Sequence, residues 1–233
     1  MGSLADQKMK RTLLLSGFLL CLTVSQAQKS DIGNWNCLNL QVNFTSRINL
    51  LTDLNVRNYA LFNDLEQGLV RTTLNYQVIP NQFVIGAGAA FAHNESYRVG
   101  SDSKRISEER RLHQQIQFKH QAGPLFINHR YRFEERFFSN RNLLRFRYQI
   151  SIQAPLNKKE MIKGAVYTSM MNEIFLHTTA PIYDRNRIAI GGGYMISKSL
   201  RIDLAMMWQI LELSRRPQTL LTISKTLDFT SEN

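Results

Sequence analysis

The sequence predicts an all-β fold, an antiparallel up-and-down transmembrane β-barrel of about 10–12 strands that follows a cleaved N-terminal signal peptide. Three observations predict this fold class. The chain begins with a secretion signal, apolar and polar residues alternate with a period of two in most of the following segments, and the connections between these segments are alternately short and long. Alternating segments of about ten residues are typical of strands that cross an outer membrane.

The first residues have the three parts of a secretory signal peptide. Basic residues at positions 8, 10 and 11 precede an apolar run over 12–24, and small residues up to Ala27 form a cleavage site. The run is shorter than the ~20 residues that a spanning helix needs, so a retained anchor is the weaker interpretation. We therefore predict a signal peptide over 1–27 and an outer-membrane β-barrel domain over 28–233.

Eleven segments show the period-two alternation that predicts strands half-exposed to an apolar phase. The first is the clearest, because Leu38, Leu40 and Val42 alternate one for one with polar residues. The predicted strands are 38–44, 48–56, 69–78, 83–92, 111–118, 125–137, 143–152, 165–176, 187–196, 200–210 and 219–229.

The connections between these segments differ in length on the two sides. The short ones are 45–47, 79–82, 122–124 and 197–199; the longer polar ones are 58–66, 93–109, 139–142, 177–186 and 214–218. Short turns on one side and long loops on the other are typical of outer-membrane barrels. Aromatic residues near strand ends, among them Trp35, Tyr76 and Trp208, predict interfacial girdles. A soluble sandwich or a lipocalin-like barrel is the alternative, since alternation alone does not say which face meets water.

The sequence pattern predicts between ten and twelve strands. Bacterial single-chain barrels usually have an even number of strands, whereas the pattern gives eleven segments. We favour twelve, with a missed strand within 154–164, over ten.

The densest charge lies in two neighbouring predicted strands. Alternation places arginines and a glutamate of 125–137 on one face, and the next strand repeats the pattern. Because an arginine at the membrane midplane costs roughly 2–4 kcal/mol on the lipid face, these side chains must point into the lumen. The predicted lumen charge network comprises Arg130, Arg132, Glu134, Arg136, Arg145, Arg147, Glu173, Arg187, Arg201 and Asp203.

This network allows three interpretations. The favoured one is a structural ionic plug that fills a narrow lumen, because the guanidinium of arginine can bind a carboxylate through two parallel hydrogen bonds. The first alternative is a narrow channel or binding site for small anionic solutes, and the second is an outer-membrane lipid-modifying enzyme. We expect no catalytic residue, since the sequence has no Gly-x-Ser-x-Gly elbow, and no metal site, since it has no His-Glu-x-x-His motif or cysteine pair.

Four short segments, taken in order, carry a resemblance to a known family. They are HRYRFEERF (129–137), RFRYQI (145–150), MNEIF (171–175) and YDRNR followed by GGGY (183–194). At these segments the chain resembles the outer-membrane barrel family catalogued as domain of unknown function 2490, over residues 35–229. The resemblance implies a β-barrel in a Gram-negative outer membrane and carries no activity, substrate or catalytic residue with it.

The formal net charge of the chain is +11. Its arginines are spread through alternating segments rather than clustered, which does not favour binding to nucleic acid. We expect outer-membrane lipid, lipopolysaccharide and the barrel-assembly machinery as partners, and no cofactor. The oligomeric state is not predicted.

Overall fold

The computed structural model describes residues 32–98 and 100–230, and these residues form a closed antiparallel β-barrel. The predicted signal peptide lies outside the described residues. In chain order the strands are β1 Gly33–Asn43, β2 Ile48–Asn58, β3 Leu65–Ile79, β4 Phe83–Tyr97, β5 Lys104–Ala122, β6 Leu125–Phe137, β7 Asn142–Pro155, β8 Val166–His177, β9 Tyr183–Ser197, β10 Leu200–Ile210 and β11 Arg215–Asp228. No helix in this part of the chain is long and apolar enough to cross a membrane.

The barrel closes through an unusual pairing of its first and last strands. Each strand pairs antiparallel with its sequence neighbours, but β1 and β11 pair parallel, with Gly33 opposite Gln218 and Asn43 opposite Asp228. In an up-and-down meander, an odd number of strands makes the first and the last run in the same direction. The parallel pairing therefore follows from the strand count.

The predicted all-β barrel is confirmed, but the favoured count of twelve strands is wrong, because the described residues form eleven. The expected twelfth strand is a polar connection, 156–165, whose ends are tied by a bond from the Leu156 amide to the Val166 carbonyl oxygen, 2.8 Å. The Asn157 side chain also donates to the Gly164 carbonyl oxygen at 2.9 Å. These local bonds satisfy the backbone of the connection without a further strand.

The two ends of the barrel carry different connections. At the end that we call the short-turn end, the connections are 44–47, 80–82, 123–124, 156–165 and 198–199. At the opposite end, which we call the long-loop end, they are 59–64, 98–103, 138–141, 178–182 and 211–214. The longest connection, 156–165, breaks the predicted rhythm because it lies at the short-turn end. Most of the predicted loop 93–109 belongs to β4 and β5, so the connection between them shortens to 98–103.

The outer face of the barrel is apolar along the strands. Large hydrophobic side chains such as Leu74, Ile116 and Leu204 are 53%, 41% and 61% exposed there. Aromatic rings lie on the same face toward the short-turn end, where Phe83 stacks on Phe118 with ring centroids 4.8 Å apart. This distribution is the reverse of a soluble β-protein and matches a surface that meets lipid, with an aromatic belt where lipid meets water.

The inner face carries mostly polar and charged residues. The side chains buried to within about 2% exposure include Arg132, His113, Glu109 and Glu134. A small apolar cluster of Ala165, Tyr167 and Met195 lies at the short-turn end. The interior is thus built from hydrogen bonds and ion pairs rather than from a hydrophobic core.

Candidate functional site

Charged side chains from β6, β7 and β8 meet in the middle of the lumen. Glu134 of β6 accepts from Arg145 Nε at 3.0 Å through its Oε2 atom, while its Oε1 atom accepts from Arg147 Nη1. The alternation of the strands explains the arrangement, since Glu134 lies directly opposite Arg145 in the β6–β7 ladder and Arg147 lies two residues further along the same face. One carboxylate therefore joins two guanidinium groups.

A second carboxylate extends this network onto β8. Glu173 Oε1 accepts from Arg147 Nη2 at 2.6 Å and from Arg130 Nη2 at 2.7 Å. Arg147 therefore lies between two glutamates, and both are almost fully buried. We call Arg130, Arg132, Glu134, Arg145, Arg147 and Glu173 the central layer.

Arg132 belongs to the central layer by position but is paired differently. Its Nε and Nη2 atoms donate to Gln115 Oε1, at 3.1 and 2.6 Å. The nearest carboxylate is Glu134, at 3.9 Å, and Nη1 has no hydrogen-bond partner in the protein. Beside Arg132, the Thr73 hydroxyl and His113 Nε2 lie 2.9 Å apart. Polar groups of β3 and β5 other than carboxylates therefore complete the central layer beside Arg132.

Three further carboxylates hold arginines around the central layer. Glu109 accepts from Arg111 at 2.6 and 2.8 Å and also from Arg136. Asp53 accepts from Arg71 at 2.9 and 2.6 Å. These are two-pronged pairs, the geometry in which a guanidinium binds a carboxylate most strongly.

The third is Asp184, which a bulge directs into the lumen. The β8–β9 register shifts between Phe175 and Leu176, so two residues of β9 oppose one of β8. Asp184 accepts from Arg145 at 2.9 Å and from Arg185 at 3.0 Å. Bulges of this kind reorient a side chain without ending the strand pairing.

Two aromatic rings inside the barrel are covered by guanidinium groups. The Phe175 ring is 1% exposed and lies 4.4 Å from Arg147 and 4.7 Å from Arg187. The Trp35 ring lies 4.1 Å from Arg57 and 4.8 Å from Arg187. The expectation that Trp35 joins an interfacial girdle is therefore wrong, because its indole faces the lumen and donates to Asn55 Oδ1 at 3.0 Å.

Cavities lie on both sides of the central layer. On the long-loop side a cavity of about 340 Å³ is lined by Trp35, Arg57, Met171 and Arg187, and it reaches the mouth of the barrel at Glu95. On the short-turn side, Lys119, Asn128, Ser151 and Arg201 are among the residues that line a cavity of about 760 Å³. We call the first cavity the vestibule.

The mouth of the vestibule is partly covered by the connection between β2 and β3. Tyr59 packs against Tyr97, with ring centroids 5.0 Å apart, and donates from its hydroxyl to the Glu95 carbonyl oxygen at 3.1 Å. Burial and the nearby Glu66 carboxylate raise the pKa of the Tyr59 hydroxyl, so it keeps the proton that it donates. Arg216 lies 4.6 Å over the same ring.

Positive charge exceeds negative charge around the central layer and the vestibule. Within the described residues, eleven arginines and six carboxylates line this part of the lumen or pair with its lining, and a seventh carboxylate, Glu95, pairs with Lys104 at the mouth. The arginines are Arg57, Arg71, Arg111, Arg130, Arg132, Arg136, Arg145, Arg147, Arg185, Arg187 and Arg216, and the carboxylates are Asp53, Glu66, Glu109, Glu134, Glu173 and Asp184. Five guanidinium groups therefore have no carboxylate of their own.

The structure brings most of the predicted network residues together, with two differences. Arg136 pairs with Glu109 rather than with Glu134. Asp203 does not reach the central layer; it accepts from the Tyr167 hydroxyl and lies 3.5 Å from Arg201. This last pair lies toward the short-turn end and is separate from the rest, so Asp203 neutralises none of the arginines of the central layer.

Several residues of the lumen are not part of the predicted network, among them Asp53, Arg57, Glu109 and Asp184. Asp53 and Arg57 share the polar face of β2, so their alternation gave the signal that they face the lumen. Glu109 falls in the predicted loop 93–109, outside every predicted strand. Asp184 points inward only because of the bulge in β9. Within residues 32–98 and 100–230, no group of three or more histidine, cysteine or acidic residues could hold a metal ion.

Comparisons with known proteins identify a family. The family model described as "Protein of unknown function (DUF2490)" matches residues 32–219, which confirms the resemblance stated from the sequence. No curated protein matches the chain significantly. Among solved structures the chain is similar to OmpT (in-vitro folded), an outer membrane protein of Vibrio cholerae in trimer form, with 13% identity and a TM-score of 0.36. That match covers 70% of this chain and 53% of the other, so the chain spans about half the length of that protein.

Proposed function

The chain belongs to the DUF2490 family, and from this premise and the lumen geometry we propose that it is an outer-membrane β-barrel sealed by its central layer. In this proposal the barrel does not conduct ions and has a structural or binding role rather than an enzymatic one. The apolar outer face and its aromatic rings support a lipid environment. Outer-membrane lipid, lipopolysaccharide and the assembly machinery are the proposed partners.

The proposal that the lumen is closed rests on one observation. Glu134 and Glu173 tie Arg130, Arg145 and Arg147 to one another across three adjacent strands. All five side chains are no more than 17% exposed. A barrel of eight strands is just filled by side chains, so eleven strands need long ones to close the space. Arginine and glutamate have the required reach.

The same pairing argues against catalysis by the central carboxylates. A general base must be free to accept a proton from a substrate. Each of these two carboxylates already accepts from two guanidinium groups, which favour its ionised form and make it a weak proton acceptor. We therefore propose a structural role for both.

A second candidate function is a path for small anions, and the excess of arginine over carboxylate favours it. A cationic lumen attracts anions and raises their local concentration. For this candidate, side chains of the central layer would have to move apart to let an ion pass. The seal and the path predict opposite results in a conductance measurement.

We also propose that the long-loop end faces the cell exterior and the short-turn end faces the periplasm. The connections at the long-loop end have four to six residues, whereas all but one at the short-turn end have two to four. Outer-membrane barrels have short periplasmic turns and longer external loops. The vestibule then opens to the outside of the cell.

The proposal is tested with wild-type protein purified from outer-membrane fractions and reconstituted in planar lipid bilayers. We expect the protein to resist carbonate extraction, to migrate differently in gels before and after boiling, and to give no steady conductance. Folded protein that gives steady, anion-selective channels would reverse the order of the two candidate functions. Extraction by carbonate would contradict the membrane location itself.

A further inference from the structure

We propose that the vestibule binds a soluble phosphate ester or diphosphate through three arginines, Arg57, Arg185 and Arg187. This inference goes beyond the proposed function, because a barrel that conducts no ions can still bind a ligand at its mouth. We call these residues the vestibule triad. They differ from Arg130, Arg145 and Arg147 of the central layer, because no residue of the triad is bound by Glu134 or by Glu173 at hydrogen-bond distance.

Arg187 is held by an amide rather than by a carboxylate. Its Nε and Nη2 atoms donate to Gln209 Oε1 at 3.0 and 2.9 Å. The nearest acidic oxygen belongs to Glu173, 4.0 Å from Nη1, and that carboxylate is already bound by Arg130 and Arg147. Gln209 fixes the direction of the guanidinium and leaves its positive charge in place.

Arg57 is buried with a donor unused. It is 4% exposed, and its Nε atom has no hydrogen-bond partner in the protein. Its contact with Glu66 is long, 3.4 Å, while the other oxygen of Glu66 is bound by Arg216 at 2.6 Å. A buried donor without a partner costs free energy, so the protein does not fully satisfy the Arg57 guanidinium, which lines the vestibule.

Arg185 shares its carboxylate with a central-layer arginine. Asp184 accepts from Arg185 at 3.0 Å and from Arg145 at 2.9 Å, so one negative charge serves two guanidinium groups. Arg185 also reaches toward Gln209, with 3.4 Å between Nη1 and Oε1. Gln209 therefore contacts two members of the triad and holds them on one wall.

The two lumenal aromatic rings bring the triad to one place. Arg57 and Arg187 both lie on Trp35, at 4.1 and 4.8 Å, although β2 and β9 are not adjacent in the barrel. Arg185 and Arg187 both approach Phe175, at 6.0 and 4.7 Å. The cation–π contacts stabilise guanidinium groups that would otherwise repel one another.

The vestibule fits a small organic anion in size and in chemistry. Its volume of about 340 Å³ is near the lower limit of small-molecule sites, roughly 300–1,000 Å³. Guanidinium forks match the oxygens of phosphate, and a triad with a shared carboxylate suits a ligand of more than one negative charge. Met171, Met207 and Leu220 also line the cavity and offer apolar contacts to the organic part of an ester.

The test measures binding of pyrophosphate to the folded full-length barrel in neutral detergent by isothermal titration calorimetry at low ionic strength. We expect saturable binding with a Kd tighter than about 1 mM. Arg187→Gln and Arg57→Gln should each weaken it about tenfold or more, because each removes charge-assisted hydrogen bonds. The matched control is Arg141→Gln, which removes the same charge from an exposed loop at the same end of the barrel.

Gel migration before and after boiling checks that each variant is folded. If Arg187→Gln does not fold, the comparison is made with Arg57→Gln. Absence of saturable binding to the wild-type protein would overturn the proposal, as would equal weakening by Arg141→Gln. Binding to micelles of a phosphate-bearing lipid without binding of pyrophosphate would also overturn it, since the triad lines the lumen. None of these results depends on conductance, so they are independent of the seal.

Discussion

Two groups of arginines in the same lumen are neutralised in different ways. In the central layer, Arg145 and Arg147 are each bound by two carboxylates. In the vestibule triad, Arg187 is held by Gln209 and by the faces of two aromatic rings. Arg147 of β7 and Arg187 of β9 are both buried, and only β8 separates their strands. We therefore propose that the pairing of an arginine, rather than its burial, separates a structural role from a binding role.

The energetics of buried charge give the reason. Removing one partner of a buried ion pair leaves an uncompensated charge and is strongly destabilising, whereas amides and rings orient a guanidinium without cancelling its charge. The central layer should therefore be sensitive to the loss of a carboxylate. The vestibule triad should be sensitive to the presence of an anion.

The largest expected effect is that of Glu134→Ala. This carboxylate is 1% exposed and joins Arg145 to Arg147, so its loss leaves two buried guanidinium groups under-neutralised. We expect the free energy of unfolding to fall by about 3–5 kcal/mol. The measurement is the urea midpoint for loss of the folded gel band after reconstitution in lipid.

The neighbouring Glu135→Ala provides the control for Glu134→Ala. Glu135 points to the other face of the same strand, where alternation places it opposite Leu112 and Leu144. We expect a change within about 0.5 kcal/mol, as for an ordinary surface site. If both variants lowered the free energy of unfolding equally, the central layer would contribute no more to stability than a side chain on the outer face of β6.

An arginine placed on the outer face should be the next most costly. Ile150→Arg puts a guanidinium on the apolar face of β7 without a carboxylate, and we expect a loss of about 2–4 kcal/mol if the site lies near the membrane midplane. The control Ser151→Arg adds the same side chain one residue along, toward the cavity on the short-turn side. We expect Ser151→Arg to fold and insert like the parent. If it fails while Ile150→Arg inserts normally, the two faces of the barrel are assigned the wrong way round.

The sequence predicted the strands and their faces better than it predicted the contacts inside the barrel. Period-two alternation is a local property, so it placed Arg132 and Glu134 on one face and Tyr131 on the other. It also gave eleven segments, the number of strands in the structure, and the favoured count of twelve was wrong because bacterial barrels usually have an even number of strands. Contacts across the lumen, such as Trp35 with Arg187, depend on strands far apart in the sequence, and no local pattern encodes them.

The bulge in β9 shows the same limit at a single residue. Strict alternation assigns neighbouring residues to opposite faces, yet the register shift lets both Asp184 and Arg185 contact lumenal groups. Asp184, whose carboxylate accepts from Arg145 Nη1, therefore cannot be recognised as a lumen residue from the period-two alternation. Prediction from alternation is reliable only where the ladder is regular.

The smallest expected effect is the most informative, because Arg132 separates position from pairing. It lies in the central layer and is 2% exposed, but its fork donates to Gln115, and its nearest carboxylate oxygen is 3.9 Å away. If pairing decides the role, Arg132→Met should change the free energy of unfolding by no more than about 1 kcal/mol, because it removes a poorly neutralised buried charge and keeps most of the volume. Arg147→Met, in the same layer, should cost about 3 kcal/mol or more, since it removes from Glu134 and from Glu173 one of the two guanidinium groups that each binds. Urea midpoints measured side by side for the two variants decide the matter: a loss from Arg132→Met as large as that from Arg147→Met would mean that burial in the layer, and not the carboxylate, makes an arginine structural.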